Sequence, residues 1–163
     1  METSLAAADV VHRLVDRRET LATAESLTGG LVASTMVQIP GVSAVFRGGL
    51  VVYATELKAR LAGVPAALLA ERGPVDPDVA KALAVGARER CGADWGIATT
   101  GVAGPDPQDG KPVGLVYVAV ADRHGADVRE LKLDGNREVI RTESVTAVLS
   151  LLSEKLQAAS SAV

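Results

Sequence analysis

Three short segments of the sequence carry residues that could do chemistry. The first contains Ser26 and the turn Thr28-Gly29-Gly30, the second leads from Tyr53 to Lys58, and the third contains Thr100 and Gly101. A serine can act as a nucleophile, and a lysine whose pKa is lowered by burial can act as its base. Glycine turns let a phosphate or a developing oxyanion approach backbone N–H groups. The segments therefore indicate either acyl transfer or phosphate binding.

Each of these residues also has a simpler interpretation. Ser26 could cap a helix, because serine is a favoured N-cap residue. Lys58 could be an ordinary surface charge, although a cation in a first helical turn opposes the helix dipole. Tyr53 could be a half-buried strand residue. The first loop lacks both the Gly-Lys-Ser/Thr ending of a Walker loop and the flanking glycines of a nucleophile elbow.

Histidine and cysteine are too scarce to support other common sites. His12 falls on an amphipathic helix, His124 falls in a hairpin turn, and Cys91 is the single cysteine. A histidine-based triad is therefore unsupported, and the sequence does not predict a metal site.

The elements that must position these loops follow from hydrophobic periodicity and from helix stop signals. A first amphipathic helix ends near Arg18, and a second runs from the glycine turn to about Val37. The strands that precede the three loops are predicted at Leu21–Ala24, Gly48–Tyr53 and Trp95–Thr99. Two further helices are predicted, one capped by Thr55 and ending near Gly63, the other spanning Asp76–Arg90.

The last third of the sequence predicts a hairpin and a closing helix. Val113–Val120 and Asp127–Leu133 resemble two strands joined at His124-Gly125, and Arg137 to about Gln157 has helical periodicity. Residues 158–163 are expected to be a frayed tail. Strands that alternate with helices, together with one antiparallel hairpin, predict an α/β fold, a three-layer α/β/α sandwich around a mixed sheet.

Composition excludes several classes of protein. A chain of 163 residues falls in the size range of one domain, and residues 1–163 show no internal boundary. No apolar run approaches the ~20 residues that span a bilayer. The net charge is −3, and the arginines do not cluster into a basic stripe, so nucleic-acid binding is not expected. Because no signal peptide is evident, we expect a cytoplasmic protein.

Several motifs, in order along almost the whole chain, resemble the CinA C-terminal domain family, the nicotinamide-nucleotide amidohydrolases. They are Thr23-Ala24-Glu25-Ser26-Leu27-Thr28-Gly29-Gly30, Gly49-Leu50-Val51-Val52-Tyr53 with Glu56 and Lys58, Gly63-Val64, Thr100-Gly101-Val102-Ala103-Gly104-Pro105-Asp106, and Lys111-Pro112-Val113-Gly114. Together these motifs are far more specific than any one loop. Where relatives often have cysteine after the serine, this chain has Leu27.

The resemblance implies a three-layer fold and hydrolysis of the carboxamide of nicotinamide mononucleotide to nicotinate mononucleotide and ammonia, without metal or cofactor. It implies that Ser26 attacks, that Lys58 is the base and that Tyr53 assists. It further implies that N–H groups of Thr28, Gly29 and Gly30 face the oxyanion. Thr100, with Gly101, is expected to line the site, and Arg141, or else Arg137, is expected to anchor the phosphate.

The family also suggests a homodimer, and the chain resembles the stand-alone form that lacks a molybdopterin-binding-like domain. Two other functions remain open at this stage. The chain could be an inactive nucleotide-binding or interaction module that kept the fold, or an amidase for another small carboxamide.

Overall fold

A mixed sheet of five strands forms the middle layer of the protein, whose structure is a computed structural model describing residues 2–161. The strands are β1 (Leu21–Glu25), β2 (Phe46–Val51), β3 (Trp95–Gly101), β4 (Leu115–Asp122) and β5 (Gly125–Lys132). Their order is β2-β1-β3-β4-β5. β1 is parallel to β2 and β3, whereas β4 is antiparallel to both β3 and β5. The α/β class and the mixed sheet predicted from the sequence are confirmed.

Helices cover both faces of this sheet. They are α1 (Glu2–Arg17), α2 (Leu31–Val37), α3 (Thr55–Arg60), α4 (Ala66–Arg72), α5 (Pro77–Cys91) and α6 (Arg137–Ser161), with a short 3₁₀ turn at Val42–Ala44. One core lies between the sheet and helices α1, α2 and α6, and a second lies between the sheet and α4 and α5. These two cores define the three layers.

The two cores differ in side-chain size. Strand residues such as Leu21, Ile97 and Val118 face the first core, whereas alanines such as Ala98 and Ala119 face the second. The alternation follows the two-residue period of a strand. Small residues on the second face allow α5 to pack very close to the sheet.

A glycine of β3 shows how close this approach is. A Cβ added at Gly96 would lie 2.0 Å from the backbone oxygen of Ala84 in α5. Any side chain there would force the helix away from the sheet. α5 itself begins with a full set of helix-start signals, because Asp76 accepts from the N–H groups of Asp78 and Val79 and Pro77 occupies the first turn.

Four sequence predictions need correction. β2 is an edge strand with alternately half-buried and exposed residues, not a buried one, because it has a neighbour on one side only. Thr55 was predicted to cap α3, but it is the first residue of that helix, and Ala54 occupies the N-cap position of α3. α4 was not predicted. Finally, α6 continues to Ser161, so residues 158–161 are helical rather than frayed, while residues 162 and 163 lie outside the described residues.

Candidate functional site

Ser26 lies directly after the last residue of β1. The strand is buried along its whole length, and the Ser26 N–H donates to the Thr99 carbonyl of β3 at 3.1 Å. This bond continues the β1–β3 pairing one residue past the end of β1. Ser26 is therefore fixed at the carboxyl end of two parallel strands, where ligands usually bind in open α/β sheets.

Lys58 is the fourth residue of α3, and its side chain is the largest fully buried one among the described residues. Its Nζ donates to Ser26 Oγ at 2.9 Å, to the Val52 carbonyl at 2.7 Å and to the Tyr53 carbonyl at 3.3 Å. None of the ion pairs between residues 2 and 161 involves Lys58. Burial without a counter-charge lowers the pKa of Lys58 from its usual 10.5 to about 8.

The two side chains close a hydrogen-bonded ring with the sheet. The Val52 N–H donates to the Glu25 carbonyl at 2.9 Å, and the Val52 carbonyl accepts from Lys58. Lys58 in turn contacts Ser26, which follows Glu25 in the chain. The distance between Ser26 Oγ and Lys58 Nζ is thus set by the pairing of β1 with the segment that follows β2.

A cavity of 260 Å³ opens over this pair. Six of the residues selected from the sequence line it: Ser26, Tyr53, Lys58, Thr100, Gly101 and Arg137. The Thr100 hydroxyl donates to the Pro74 carbonyl at 2.7 Å and keeps its lone pairs available to a ligand. The loop after β3 contributes Asp106 and Gln108, which sequence analysis did not select.

The Tyr53 side chain does not stand between Ser26 and Lys58, and Tyr53 lies after the end of β2 rather than in the strand. Its side chain is 61% exposed, and its hydroxyl accepts from Arg137 Nη2 at 3.2 Å. Ser26 and Lys58 are in direct contact, so no proton relay has to bridge them. Tyr53 contributes to the pair through its backbone carbonyl and to the cavity through its ring.

The two candidate anchoring arginines lie one helical turn apart on α6 but point to different places. Arg137 lines the cavity, and its Nη1 donates to the Gly104 carbonyl at 2.6 Å. Arg141 does not line the cavity; it donates to the Leu27 and Thr28 carbonyls at 2.9 and 3.0 Å. The structure thus brings Arg137, and not Arg141, to the cavity, while the choice of phosphate anchor between them stays a prediction.

The glycine turn also differs from expectation. The Gly29 N–H donates to the Ser26 carbonyl at 3.1 Å, and the Gly30 N–H donates to Glu25 Oε1 at 3.2 Å. Both N–H groups are thus engaged inside the turn. Of the three N–H groups expected to face an oxyanion, the one that remains is that of Thr28.

Glu25 has a structural role at the start of α2. Its buried carboxylate accepts from the Thr28 hydroxyl at 2.6 Å and from the N–H groups of Val32 and Ala33 at 2.8 and 3.0 Å. It therefore caps α2 from a position six residues before that helix begins. A capping residue is sought next to the helix start, so the sequence held no local signal for this one.

A metal-binding cluster and a membrane-spanning helix are both absent from the described part of the chain. Between residues 2 and 161 no three His, Cys, Asp or Glu side chains are grouped so that they could hold a metal ion. None of the helices in the same range has both the length and the apolarity needed to cross a membrane.

A buried serine–lysine pair under a cavity can form and break an ester or amide bond, because the serine oxygen can attack a carbonyl while the amine takes its proton. The model of the CinA C-terminal domain matches residues 3–156. The chain therefore belongs to the CinA C-terminal domain family.

Relatives and solved structures agree with this assignment. The chain is 50% identical over 147 residues to a CinA-like protein of Frankia casuarinae, covering 90% of this chain and 34% of the relative. It is 52% identical over 138 residues to a CinA-like protein of Geobacter sulfurreducens, covering 84% and 33%. The chain thus spans about a third of the length of the curated relatives it matches.

Two solved structures are similar to the chain over nearly their full length. The competence/damage inducible protein from Agrobacterium tumefaciens is 34% identical with a TM-score of 0.91, and the match covers 96% of each chain. A CinA superfamily protein from Klebsiella pneumoniae is 30% identical with a TM-score of 0.91, covering 95% of this chain and 98% of the other.

Proposed function

We propose that the protein hydrolyses the carboxamide of nicotinamide mononucleotide, giving nicotinate mononucleotide and ammonia, with Ser26 as nucleophile and Lys58 as base. One observation carries this proposal. The Ser26 hydroxyl lies 2.9 Å from the amine of a lysine that is buried without a counter-charge. The choice of substrate rests on the resemblance of the sequence motifs to the nicotinamide-nucleotide amidohydrolases.

The contacts of Lys58 suit a base as well as they suit a buried cation. A neutral amine has two N–H donors and one lone pair. The Val52 and Tyr53 carbonyls accept both donors, so the lone pair is directed at the third neighbour, Ser26 Oγ. In this form the hydrogen bond reverses, and the Ser26 O–H donates to Nζ. The pair is then ready for proton transfer.

The reaction proceeds in two balanced halves. Ser26 Oγ attacks the carboxamide carbon while Lys58 takes the hydroxyl proton; the C–N bond then breaks, and Lys58 returns the proton to the departing nitrogen as ammonia leaves. Water next attacks the resulting ester, with Lys58 again accepting a proton. Breakage of the ester bond releases the carboxylate, and Ser26 regains its proton.

The remaining cavity residues supply binding. Arg137 places a guanidinium at the mouth of the cavity, and an arginine can hold a phosphate through two parallel charge-assisted hydrogen bonds. Its present partners, the Tyr53 hydroxyl and the Gly104 carbonyl, are neutral, so a phosphate dianion would compete well for it. The Tyr53 ring offers a face to the pyridine, and the Thr100 hydroxyl, whose proton is donated to the Pro74 carbonyl, offers an acceptor to the amide N–H.

The decisive experiment is ammonia release from nicotinamide mononucleotide by the purified protein in the presence of a chelator. The riboside, free nicotinamide and unrelated small carboxamides are tested in the same assay. We expect the mononucleotide to be the best substrate and the chelator to have no effect. A better rate on another amide would identify an amidase of different specificity. Binding of the mononucleotide without ammonia release would identify an inactive nucleotide-binding module.

A further inference from the structure

Arg141 lies outside the cavity, yet it is the side chain that ties α6 to the turn behind the nucleophile. Its Nε donates to the Leu27 carbonyl at 2.9 Å and its Nη2 donates to the Thr28 carbonyl at 3.0 Å. Two adjacent carbonyls are thus held by one planar guanidinium, whose donors have a fixed relative geometry. The two peptide groups that follow Ser26 are oriented by this contact.

The direction of these peptide groups follows from their geometry. In a trans peptide the N–H points opposite to the C=O. The Thr28 carbonyl faces Arg141, and the Gly29 N–H on the other side of that peptide donates to the Ser26 carbonyl. The Leu27 carbonyl also faces Arg141, so the Thr28 N–H points away from α6. Within residues 2–161 that N–H has no hydrogen-bond partner.

We propose that Arg141 is a positioning residue for the hydrolysis, resting on the function proposed above: it fixes the Leu27–Thr28 peptide so that the Thr28 N–H donates to the oxyanion formed when Ser26 attacks. Preorganised donors of this kind stabilise the transition state because they need no reorientation during the reaction. The guanidinium charge on the Leu27 carbonyl also polarises the same peptide group, which strengthens its N–H as a donor.

This role is distinct from that of a ligand anchor. Arg141 donates hydrogen bonds from its Nε and one Nη to carbonyls of the turn. It does not line the cavity, whereas Arg137 does. A positioning residue changes the chemical step for every substrate alike. An anchor changes binding, and only for substrates that carry the anchored group. The two roles therefore separate in kinetics.

The kinetic test uses Arg141→Ala, Arg141→Gln and Arg141→Lys with nicotinamide mononucleotide and nicotinamide riboside. We expect Arg141→Ala to lower kcat about 10- to 100-fold for both substrates, with KM nearly unchanged. This loss of kcat is somewhat smaller than the loss caused by removing an oxyanion donor itself. Arg141→Lys should retain part of the rate, and added guanidinium should restore part of it in Arg141→Ala. Arg129→Ala is the matched control, since Arg129 pairs with Glu154 on the surface.

A second readout does not depend on the natural substrate. A fluorophosphonate forms a bond between Ser26 Oγ and phosphorus with loss of fluoride, and its P=O oxygen occupies the oxyanion position. We expect Arg141→Ala to be labelled to completion but more slowly than the native protein, which shows that the variant is folded and that only reactivity has changed.

The outcomes separate the two proposals. In one outcome, the native protein releases no ammonia from the mononucleotide while Arg141→Ala is still labelled slowly but completely. That result refutes the proposed substrate and supports the positioning role. An unchanged kcat and labelling rate in Arg141→Ala, or a loss confined to the mononucleotide and expressed in KM, overturns the positioning role and leaves the hydrolysis intact. If Ser26 of the native protein resists labelling and the native protein releases no ammonia, both proposals are overturned.

Discussion

The two ends of the sheet carry very different cavities. At the carboxyl end of β1 and β3, a cavity of 260 Å³ lies over Ser26 and Lys58. At the opposite end, a wider cleft of 750 Å³ is lined by many charged residues, and four of them form two ion pairs. Lys155 contacts Asp127 at 2.7 Å, and Arg17 contacts Glu19.

The two cavities differ in the surroundings of their lysines as well as in volume. Lys155 is partly exposed and has a carboxylate partner, Asp127. Lys58 is buried with carbonyls and a hydroxyl as partners, and burial lowers the pKa of its amine to about 8. The smaller cavity therefore contains a buried amine without a counter-charge, which suits the proposed base, and the larger one contains two ordinary ion pairs.

The largest expected effect comes from removing either member of the reactive pair. Ser26→Ala and Lys58→Met should each lower kcat at least ~10³-fold, and the double variant should be no worse than the more severe single one, because groups that act as a unit are non-additive. Steady-state ammonia release measures this. Ser43→Ala, at an exposed serine, and Lys155→Met, at the opposite end, are the matched controls. Full activity in Ser26→Ala with unchanged circular dichroism would refute the covalent mechanism.

Arg137→Ala should have the next largest effect, confined to phosphorylated substrate. We expect kcat/KM for nicotinamide mononucleotide to fall about 10- to 100-fold, while the value for the riboside changes little, because Arg137 lines the cavity and offers charge-assisted hydrogen bonds to phosphate. The ratio of the two kcat/KM values is the measurement. If Arg137→Ala leaves that ratio unchanged, the phosphate is held elsewhere.

The rate should also depend on pH through Lys58. With a pKa of about 8, about one lysine in ten is neutral at pH 7 and about nine in ten are neutral at pH 9, so kcat/KM should rise about tenfold over that interval. A pH-rate profile with a single ionisation near 8 checks this. A profile that is flat between pH 7 and 9 would remove Lys58 from the role of base.

The same pKa makes a prediction about stability, with a defined sign. The folded-state pKa of Lys58 lies below the unfolded value of 10.5, so between pH 8 and 10.5 the unfolded chain binds more protons than the folded one. The free energy of unfolding contributed by this residue therefore rises with pH across that window, by up to about 3 kcal/mol. Denaturant unfolding at several pH values measures the free energy of unfolding of the native protein and of Lys58→Met. The value for the native protein should rise relative to that of Lys58→Met as pH increases.

The smallest effect is expected at the opposite cleft. Asp127→Asn breaks an exposed ion pair with Lys155, and such pairs contribute about 0–1 kcal/mol to stability. Ammonia release should be unchanged, and thermal unfolding should shift only slightly. A loss of turnover comparable to that of Arg137→Ala would mean that the two ends of the sheet are coupled.

Sequence analysis predicted the layers well because strand and helix periods are local properties. It was less successful where the outcome depends on neighbours distant in the chain. The Gly48–Tyr53 run has the composition of a buried strand, but nothing in that run shows that β2 has only one neighbour. The helix α4 is short and follows Pro65, so its seven residues gave no clear periodic signal.

The candidate site was also predicted only in part, because the burial and direction of its side chains depend on residues distant in the chain. Motif resemblance selected Ser26 and Lys58, but a lysine in a short helix looks like a surface residue until its burial is known. Arg137 and Arg141 are four residues apart on one helix, and no local pattern shows which of them reaches the cavity.

The edge position of β2 has a consequence for how the molecule loses activity. Ser26 directly follows an interior strand, whereas the segment that leads to Lys58 follows an edge strand that pairs with β1 alone. Edges of a sheet open locally at a lower free energy than the whole domain unfolds. We expect such an opening to separate Lys58 from Ser26 while the core residues of β1, β3 and β4 stay packed. Activity should then be lost on warming before most of the secondary structure, at a rate set by the hydrogen-exchange stability of one outer strand.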